Sequence, residues 1–207
     1  MWRDRAEAGR ELASELARRG YAGRDDVTVL GVPRGGVAVA REVADRLGAP
    51  LDVVVVRKIG APGAPEFAAG AVDLDGHVHA NPEAGVPMPW LERAAIAEHE
   101  EALRRARVYR GDRDPLTLSG RTAIVVDDGI ATGLTAQAAL RWLAGRAAAR
   151  TVIAAPVMSP DAARLLADDA EEVVALATPL GFAAVGAYYA AFPQLSDAEV
   201  TRLLANG

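Results

Sequence analysis

Two adjacent carboxylates, Asp127 and Asp128, directly follow the apolar run Thr122–Val126. Such a run is typical of a buried strand, at whose end two carboxylates without partners would be costly to desolvate. The next seven residues contain two glycines and two hydroxyl side chains and lead into a predicted helix: Gly129, Ile130, Ala131, Thr132, Gly133, Leu134 and Thr135. Because backbone N–H groups at a helix N-terminus bind anions, this spacing favours one ligand with both hydroxyls and a phosphate, as in ribose 5-phosphate.

A second glycine-rich turn, residues 33–36, joins the apolar run 27–32 to the helical stretch 37–47. By itself this turn is weak evidence for a site, because glycine-rich turns between a strand and a helix are common in α/β proteins. The next apolar run ends in Arg57 and Lys58, and Lys58 is the only lysine among 23 basic residues. These two side chains are equally compatible with a solvated strand end and with a role at an anionic ligand.

The elements that must position these residues alternate between apolar strands and helices. Asp4 followed by Glu7 is a capping box, which predicts a helix over about 5–19. Strands are predicted at 27–32, 51–56, 122–126, 151–157 and 173–176, with helices at 37–47, 90–110, from 135 to about 144, and 161–166. This order predicts an α/β fold, a doubly wound and mostly parallel sheet flanked by helices, with a small hood. Ligands bind such a sheet at the carboxyl ends of its strands, where both glycine-rich turns lie.

Two stretches depart from this alternation. Residues 59–89 are rich in Gly, Pro and Asn and are predicted to be mostly loop, with one hairpin of strands 69–72 and 77–80 around an Asp-Gly turn. From residue 181 onward the chain is rich in aromatics, which predicts an appended lid. The expected organisation is a single domain over 1–207, with its core at about 20–178 and hood or lid contributions from about 59–110 and 179–207.

Composition excludes several classes of protein. The net charge is −5 and no run of five like charges occurs, which argues against nucleic acid as a partner. The absence of cysteine excludes disulfides, thiolate metal sites and a cysteine nucleophile, and no serine lies in a G-x-S-x-G motif. His77 and His79 share one face of a predicted strand, which would suit a metal ion, but an exposed hairpin is the simpler interpretation. The charged N-terminal residues and the lack of a long apolar run predict a cytoplasmic location and no membrane association.

On these residues the sequence resembles the type I phosphoribosyltransferases, which use phosphoribosyl pyrophosphate (PRPP). All thirteen positions of 123–135 are similar to the PRPP signature of that family. Arg34, Gly35 and Gly36 resemble the family's pyrophosphate-binding loop, about ninety residues upstream of the acidic signature. Arg57 and Lys58, followed by a long mobile segment, also resemble the family layout. Along its whole length the chain is similar to bacterial phosphoribosyltransferase-domain proteins whose substrate is generally unassigned.

The resemblance implies a Mg²⁺-dependent transfer of the 5-phosphoribosyl group from PRPP to a nitrogenous base or similar amine, with release of pyrophosphate. It assigns the 5-phosphate to 129–135 and the ribose hydroxyls to Asp127 and Asp128. Pyrophosphate is assigned to Arg34, Gly35 and Gly36, and the implied catalytic residues are Asp127, Asp128, Arg57 and Lys58. The two carboxylates would face the positive charge that develops on the sugar and would touch Mg²⁺ mainly through water or hydroxyls. The loop 59–81 would close over the site and exclude water.

One position departs from the family pattern. Ala131 stands where family members that act on 6-oxopurines carry an aspartate base, and alanine has no group that accepts a proton. Hypoxanthine or guanine as acceptor is therefore in doubt, while the adenine and orotate classes remain open. The alternative function is a PRPP-binding regulatory or sensor module without turnover. A third interpretation, an unrelated sugar-phosphate binder, requires the signature match to be chance. The sequence leaves open both the acceptor and whether the protein forms a homodimer.

The aromatic tail is the predicted source of the acceptor pocket. Residues 181–193 follow the last predicted strand and resemble the C-terminal segment of the family. Aromatic rings stack on flat heterocycles with a benefit of about 1–3 kcal/mol per base. Phe182, Tyr188 and Tyr189 are therefore the candidate acceptor residues, and packing of these rings in the core is the alternative.

Overall fold

The structure is a computed structural model that describes residues 1–205. In this part of the chain the strands are β1 (Val27–Gly31), β2 (Leu51–Val53), β3 (Arg57–Ala61), β4 (Ala64–Val72), β5 (Val78–Ala80), β6 (Thr122–Val126), β7 (Arg150–Val157) and β8 (Glu172–Ala177). The helices are α1 (Arg5–Arg18), α2 (Gly35–Leu47), α3 (Met88–Arg110), α4 (Leu134–Ala144), α5 (Pro160–Leu166) and α6 (Asp197–Ala205), with 3₁₀ turns at Pro82–Ala84 and Val185–Tyr188. None of the described helices is both long and apolar enough to cross a membrane.

Five strands form a parallel sheet in the order β2-β1-β6-β7-β8, which confirms the predicted doubly wound fold. The chain progresses in opposite directions on the two sides of the β1–β6 pair, and such a switch point is where open α/β sheets bind ligands. Strands β1 and β6 pair in register, with Val27 opposite Thr122 and Gly31 opposite Val126. The turns that follow Gly31 and Val126 therefore leave the sheet side by side.

Helices cover both faces of this sheet. Val29 and Ile124 pack in the layer that contains α1, α2 and the end of α3. Leu30 and Val125 pack in the opposite layer with α4 and α5. Because both faces are buried, the strands are continuous apolar runs rather than alternating ones, as expected from the sequence. The two layers fix the ends of β1 and β6, from which the candidate site is built.

Much of the stretch expected to be loop is instead a second sheet, with the order β3-β4-β5. The predicted hairpin is confirmed, since β4 and β5 pair antiparallel. The expected loop character of 59–68 is wrong, because β3 and β4 pair with each other across a tight turn. Ile59 and Ala69 form an apolar cluster with Leu91 of α3. Packing on α3 therefore outweighs the weak strand propensity of this Gly- and Pro-rich segment.

The tail contains a helix that was not predicted from the sequence. Helix α6 buries Val200 and Leu204 in the same apolar layer as α2 and α3. Upstream of it, Tyr189 forms an isolated parallel bridge with Trp2. The Trp2 N–H donates to the Tyr188 carbonyl at 2.9 Å, and the Ala190 N–H donates to the Trp2 carbonyl at 2.8 Å. The segment before α1 and the tail are thus joined to each other.

Candidate active site

The two glycine-rich turns meet at the carboxyl ends of β1 and β6. The Val32 N–H donates to the Val126 carbonyl at 2.9 Å, which ties the turn after β1 to the end of β6. A Cβ atom on Gly35 would lie 1.8 Å from Asp128 Oδ2, and one on Gly36 would lie 2.6 Å from the Val126 carbonyl oxygen. Glycine at both positions therefore follows from close packing of one turn on the other. The structure brings together the two motifs that lie about ninety residues apart in sequence.

The N-terminus of α2 faces this junction without a side-chain cap. The peptide bond between Pro33 and Arg34 is cis. Arg34 occupies the N-cap position, and its side chain makes no capping hydrogen bond. The first N–H groups of a helix have no partner within the helix and form a natural binding place for an anion. The predicted pyrophosphate residues Arg34, Gly35 and Gly36 thus share one helix N-terminus.

Each carboxylate of the acidic pair has one oxygen held by the protein. Asp127 Oδ1 accepts the Asp128 N–H at 2.8 Å. Asp128 Oδ2 accepts Nε of Arg5 at 2.6 Å. No N–H or hydroxyl group among residues 1–205 donates to Asp127 Oδ2 or Asp128 Oδ1, and the two carboxyl groups lie close enough to interact with each other. The pair therefore presents two adjacent acceptor oxygens to a ligand, which suits the neighbouring 2′ and 3′ hydroxyls of a ribose.

The charge state of the pair reflects its surroundings. Burial raises the pKa of Asp127 well above its usual range, and the negative charge of Asp128 raises it further. The positive charge of Arg5 opposes this rise in the pKa of Asp127. Arg5 is thus a functional candidate that sequence reasoning missed, because the residue is 123 positions away from Asp128 in the chain.

The loop 129–135 is anchored on one side and open on the other. The Ile130 N–H donates to the Val157 carbonyl at 2.9 Å, and Ser159 Oγ donates to the Ala131 carbonyl at 2.5 Å. The hydroxyls of Thr132 and Thr135 have no hydrogen-bond partner among the described residues, and both side chains reach solvent. The open side, at the N-terminus of α4, therefore provides the donors expected of a phosphate cradle.

Gly133 is required in this loop by its backbone conformation. It caps α4 with φ +81°, which is the left-handed region that costs other residues about 1–2 kcal/mol. A Cβ there would also lie 3.3 Å from Cβ of Ala162. We expect Gly133→Ala to lower both the thermal stability and PRPP affinity. Calorimetry and thermal melts check this, with Gly145→Ala (φ −73°) as the control; equal effects of the two changes would contradict it.

A cavity of about 440 Å³ opens beside Asp128, while Asp127 and the loop 129–135 are not among the residues that line it. It is lined by Arg5, Arg34, Gly35, Asp128, Val185, Phe192, Gln194 and Leu195. Three of these residues belong to the two predicted PRPP motifs, and four belong to the tail. The tail also packs closely on the loop 129–135, since a Cβ on Gly129 would lie 2.3 Å from Cγ1 of Val185. The cavity therefore lies between the predicted PRPP residues and the tail.

Arg57 and Lys58 are not brought into this cavity. Both lie on β3 in the second sheet. Arg57 pairs with Glu98 of α3 at 2.7 Å, and Nζ of Lys58 donates to the Glu66 carbonyl at 3.1 Å. A role for either residue at pyrophosphate stays a prediction, and it would require these contacts to be exchanged for contacts with the ligand.

The predicted acceptor aromatics occupy different environments. Phe182 stacks on Tyr188 with ring centroids 5.7 Å apart, and both remain partly exposed. Tyr189 is only 5% exposed, packs on Trp2, and donates its hydroxyl to the Asp128 carbonyl at 2.6 Å. Phe192 is the aromatic residue that lines the cavity. Phe192 was not among the three acceptor candidates predicted from the sequence, and a role at the acceptor for those three stays a prediction.

His77 and His79 lie at the hairpin around the buried Asp73. Asp73 Oδ1 accepts the N–H groups of Asp75 and His77, while Oδ2 lies 3.0 Å from Nε2 of His79. Asp73, Asp75 and His77 are close enough to share a cation. However, the Asp75 carboxylate pairs with Arg146 at 2.9 Å, and Asp73 accepts the backbone N–H groups of the turn. Both carboxylates therefore already have partners within the protein. The arrangement is that of a turn stabilised by an aspartate.

A parallel sheet whose switch point carries two open helix N-termini and an acidic pair defines an α/β domain of the kind that binds ligands at the carboxyl ends of its strands. The model of the phosphoribosyl transferase domain family matches residues 2–188. The chain therefore belongs to the phosphoribosyl transferase domain family, and the family membership predicted from the two motifs is confirmed.

Individual relatives agree with this assignment. The chain is 47% identical over 209 residues to "Putative phosphoribosyl transferase Rv0571c" of Mycobacterium tuberculosis strain H37Rv. That match covers 99% of this chain but 46% of the relative, so the chain spans about half the length of the curated protein. The crystal structure of TT1426 from Thermus thermophilus superimposes with a TM-score of 0.83 at 46% identity and covers 100% of this chain and 98% of that one. The likeness to TT1426 therefore includes the tail and α6.

Proposed function

We propose that this protein binds PRPP at the β1–β6 switch point and transfers its 5-phosphoribosyl group to a small nitrogenous acceptor, releasing pyrophosphate. The observation that carries this proposal is that Asp127 Oδ2 and Asp128 Oδ1 receive no hydrogen bond from an N–H or hydroxyl group in the described part of the chain, at the junction of two open helix N-termini. A ligand with a phosphate at one end, two hydroxyls in the middle and a diphosphate at the other end matches that order of groups.

The loop 129–135 would hold the 5-phosphate. Its donors are the N–H groups at the start of α4 and the hydroxyls of Thr132 and Thr135. Binding there fixes the ribose, so that its two hydroxyls reach the acidic pair. Holding both ends of the sugar removes rotational freedom that would otherwise oppose the reaction.

The turn 33–36 would hold the leaving pyrophosphate. Arg34 lines the cavity, and the N-terminus of α2 adds backbone donors. Breaking the bond from C1 of the ribose to pyrophosphate leaves positive charge on the sugar and negative charge on the leaving group. Fixed donors at the leaving group and the carboxylates of Asp127 and Asp128 near the sugar stabilise both charges in the transition state.

The residues present fit Mg²⁺, which the family uses with PRPP. Mg²⁺ prefers oxygen ligands, keeps several waters, and is commonly held by one or two carboxylates together with substrate phosphates. Asp127 and Asp128 offer such oxygens and would contact the ion mainly through water or the ribose hydroxyls. When bound, the ion supplies charge neutralisation on the pyrophosphate. Removing it with a chelator should therefore stop turnover and weaken PRPP binding in a calorimetric titration.

The acceptor would enter from the side of the tail. Phe192 is 37% exposed at the cavity, and because Arg5 and Tyr189 pack on its ring, it would meet the acceptor with its edge. Gln194 offers an amide that both donates and accepts hydrogen bonds, and Leu195 an apolar wall. Ala131 supplies no base, so an acceptor whose nitrogen needs no deprotonation by that position is favoured. The predicted acceptor residues Phe182, Tyr188 and Tyr189 are not among those that line the cavity, and Tyr189 instead holds the Asp128 backbone.

The acceptor site can be tested at Phe192. We expect Phe192→Ala to raise the Michaelis constant for the acceptor about tenfold, which corresponds to about 1.4 kcal/mol of lost contact with the ring. The Michaelis constant for PRPP should rise less than that for the acceptor, because Phe192 reaches the sugar-binding carboxylate only through its packing on Arg5. Phe182→Ala is the matched control, because its ring stacks on Tyr188 and does not line the cavity. If Phe182→Ala raises the Michaelis constant for the acceptor and Phe192→Ala does not, the acceptor binds elsewhere on the tail.

Turnover itself is tested by a pyrophosphate-release screen. PRPP and Mg²⁺ are incubated with the protein and a panel of nucleobases and related amines, and a parallel calorimetric titration measures PRPP binding. Release with one acceptor supports the transferase. The second candidate, a PRPP-binding module without turnover, is favoured by the engagement of Arg57 and Lys58 in other contacts, and it predicts binding without release. If the protein shows neither PRPP binding nor pyrophosphate release, both functions are contradicted.

A further inference from the structure

Arg5 makes three contacts that converge on the acidic pair and the tail. Its Nε donates to Asp128 Oδ2 at 2.6 Å, and Nη1 donates to the Pro193 carbonyl at 2.7 Å. Its guanidinium carbon lies 3.8 Å from the centre of the Phe192 ring. The guanidinium is therefore held on an edge by two hydrogen bonds and on a face by an aromatic ring, which leaves it little freedom to rotate.

The backbone around Arg5 is fixed as firmly as its side chain. Asp4 caps α1 through its hydrogen bond with the Glu7 N–H at 2.8 Å, so Arg5 begins a regular helix. The bridge between Trp2 and Tyr189 ties this segment to the tail. Tyr189 then donates to the Asp128 carbonyl at 2.6 Å. The segment 2–5 and the tail thus hold Asp128 by both its side chain and its backbone.

Stability gives little reason for this ion pair. The side chains of Arg5 and Asp128 are 10% and 14% exposed. Desolvating two charges to this degree offsets much of their attraction, and apolar side chains of similar size often stabilise a protein as well or better. What the pair does achieve is to occupy Asp128 Oδ2 and leave Oδ1 for a ligand.

We propose that Arg5 is a positioning residue for ribose recognition: it orients the Asp128 carboxylate so that Oδ1 accepts a hydroxyl of the bound sugar. This inference rests on the proposed binding of PRPP to the same site. Arg5 acts through Asp128, and the Phe192 ring and the Pro193 carbonyl hold Arg5 in turn. Because Phe192 also lines the cavity, the arginine links the sugar-binding carboxylate to the wall that meets the acceptor.

A double-mutant cycle in calorimetry tests the proposal on the full chain with PRPP and Mg²⁺. Arg5→Gln should weaken PRPP binding about tenfold, a typical loss when a side chain that orients a binding group is removed. Arg5→Gln added to Asp128→Asn should weaken binding no further than Asp128→Asn does, because the two residues act as one unit. Arg5→Lys should restore part of the affinity. Arg10→Gln, on the same helix but paired with Glu42, is the control and should bind as the unsubstituted protein does.

Inorganic pyrophosphate separates positioning from a general structural defect. It has no hydroxyls, so Arg5→Lys, which keeps the positive charge beside Gly35, should leave its affinity unchanged, and Arg5→Gln should weaken it less than it weakens PRPP binding. Equal losses of pyrophosphate and PRPP affinity in both variants would overturn the proposal. Normal PRPP binding in Arg5→Gln would also overturn it. Tighter PRPP binding in Arg5→Gln would overturn it as well, because it would show that Arg5 competes with the sugar. No PRPP binding by the unsubstituted protein would instead overturn the proposed function.

Discussion

Replacing Asp127 and Asp128 together by asparagine should abolish phosphoribosyl transfer and weaken PRPP binding at least about tenfold, or about 1.4 kcal/mol. Asparagine keeps the size of both side chains but removes the negative charge of the pair. The acceptor oxygens then lose most of their attraction for the ribose hydroxyls and for the positive charge that develops on the sugar. The Arg5 guanidinium loses its charged partner as well, because Asp128 Oδ2 accepts its hydrogen bond.

Calorimetry with PRPP and a pyrophosphate-release assay measure the two effects in the double variant. The matched control is Asp161→Asn and Asp168→Asn, which replaces two exposed aspartates in the segment after β7 by the same amide. Unchanged PRPP affinity in the Asp127 and Asp128 variant would contradict the assignment of the ribose to this pair.

The second large effect is expected from a single methyl group at Gly35. Alanine at this helical position would ordinarily stabilise a protein by about 0.4–1 kcal/mol, because it restricts the unfolded chain. Here the added Cβ would lie 1.8 Å from Asp128 Oδ2 and 3.0 Å from Nε of Arg5. The carboxylate must therefore leave its position, which separates it from Arg5 and closes part of the cavity. We expect Gly35→Ala to fold and to bind PRPP with an affinity more than about tenfold lower. This is the loss expected when one carboxylate that binds the ligand is removed.

Thermal melts and PRPP titrations distinguish this outcome from unfolding. Loss of the Arg5 hydrogen bond costs about 1–3 kcal/mol of stability, so a lower melting temperature with a cooperative transition is expected. Gly181→Ala is the control, since nothing in the described part of the chain lies within 4 Å of a Cβ at that position. Normal PRPP affinity in Gly35→Ala would mean that the sugar does not use the Asp128 carboxylate in the position found here.

The core of the fold and the two motifs of the site were predictable because their signals are local. Apolar runs such as Thr122–Val126 identify buried strands, and the rule that ligands bind at the carboxyl ends of parallel strands places the turns after them. The capping box at Asp4 also marked the start of α1 to the residue. No contact between distant segments was needed for any of these predictions.

Other features depend on contacts between distant segments and therefore left no local signal. The strand β3 forms because Ile59 packs on α3, although its neighbours include glycine and proline. Arg5 is one of 22 arginines and differs from the others only through Asp128 and Phe192, which are far away in the chain. Among the tail aromatics, composition could not show that Tyr189 is buried and that Phe192 faces the cavity.

The most direct test is an experimental structure of the protein with PRPP and Mg²⁺ and without an acceptor. We expect the 5-phosphate at the N-terminus of α4, the ribose hydroxyls on Asp127 Oδ2 and Asp128 Oδ1, and the pyrophosphate at Arg34 and the N-terminus of α2. Arg5 should keep its contact with Asp128 Oδ2. PRPP bound elsewhere, or bound here with both carboxylates free of the sugar, would contradict this assignment.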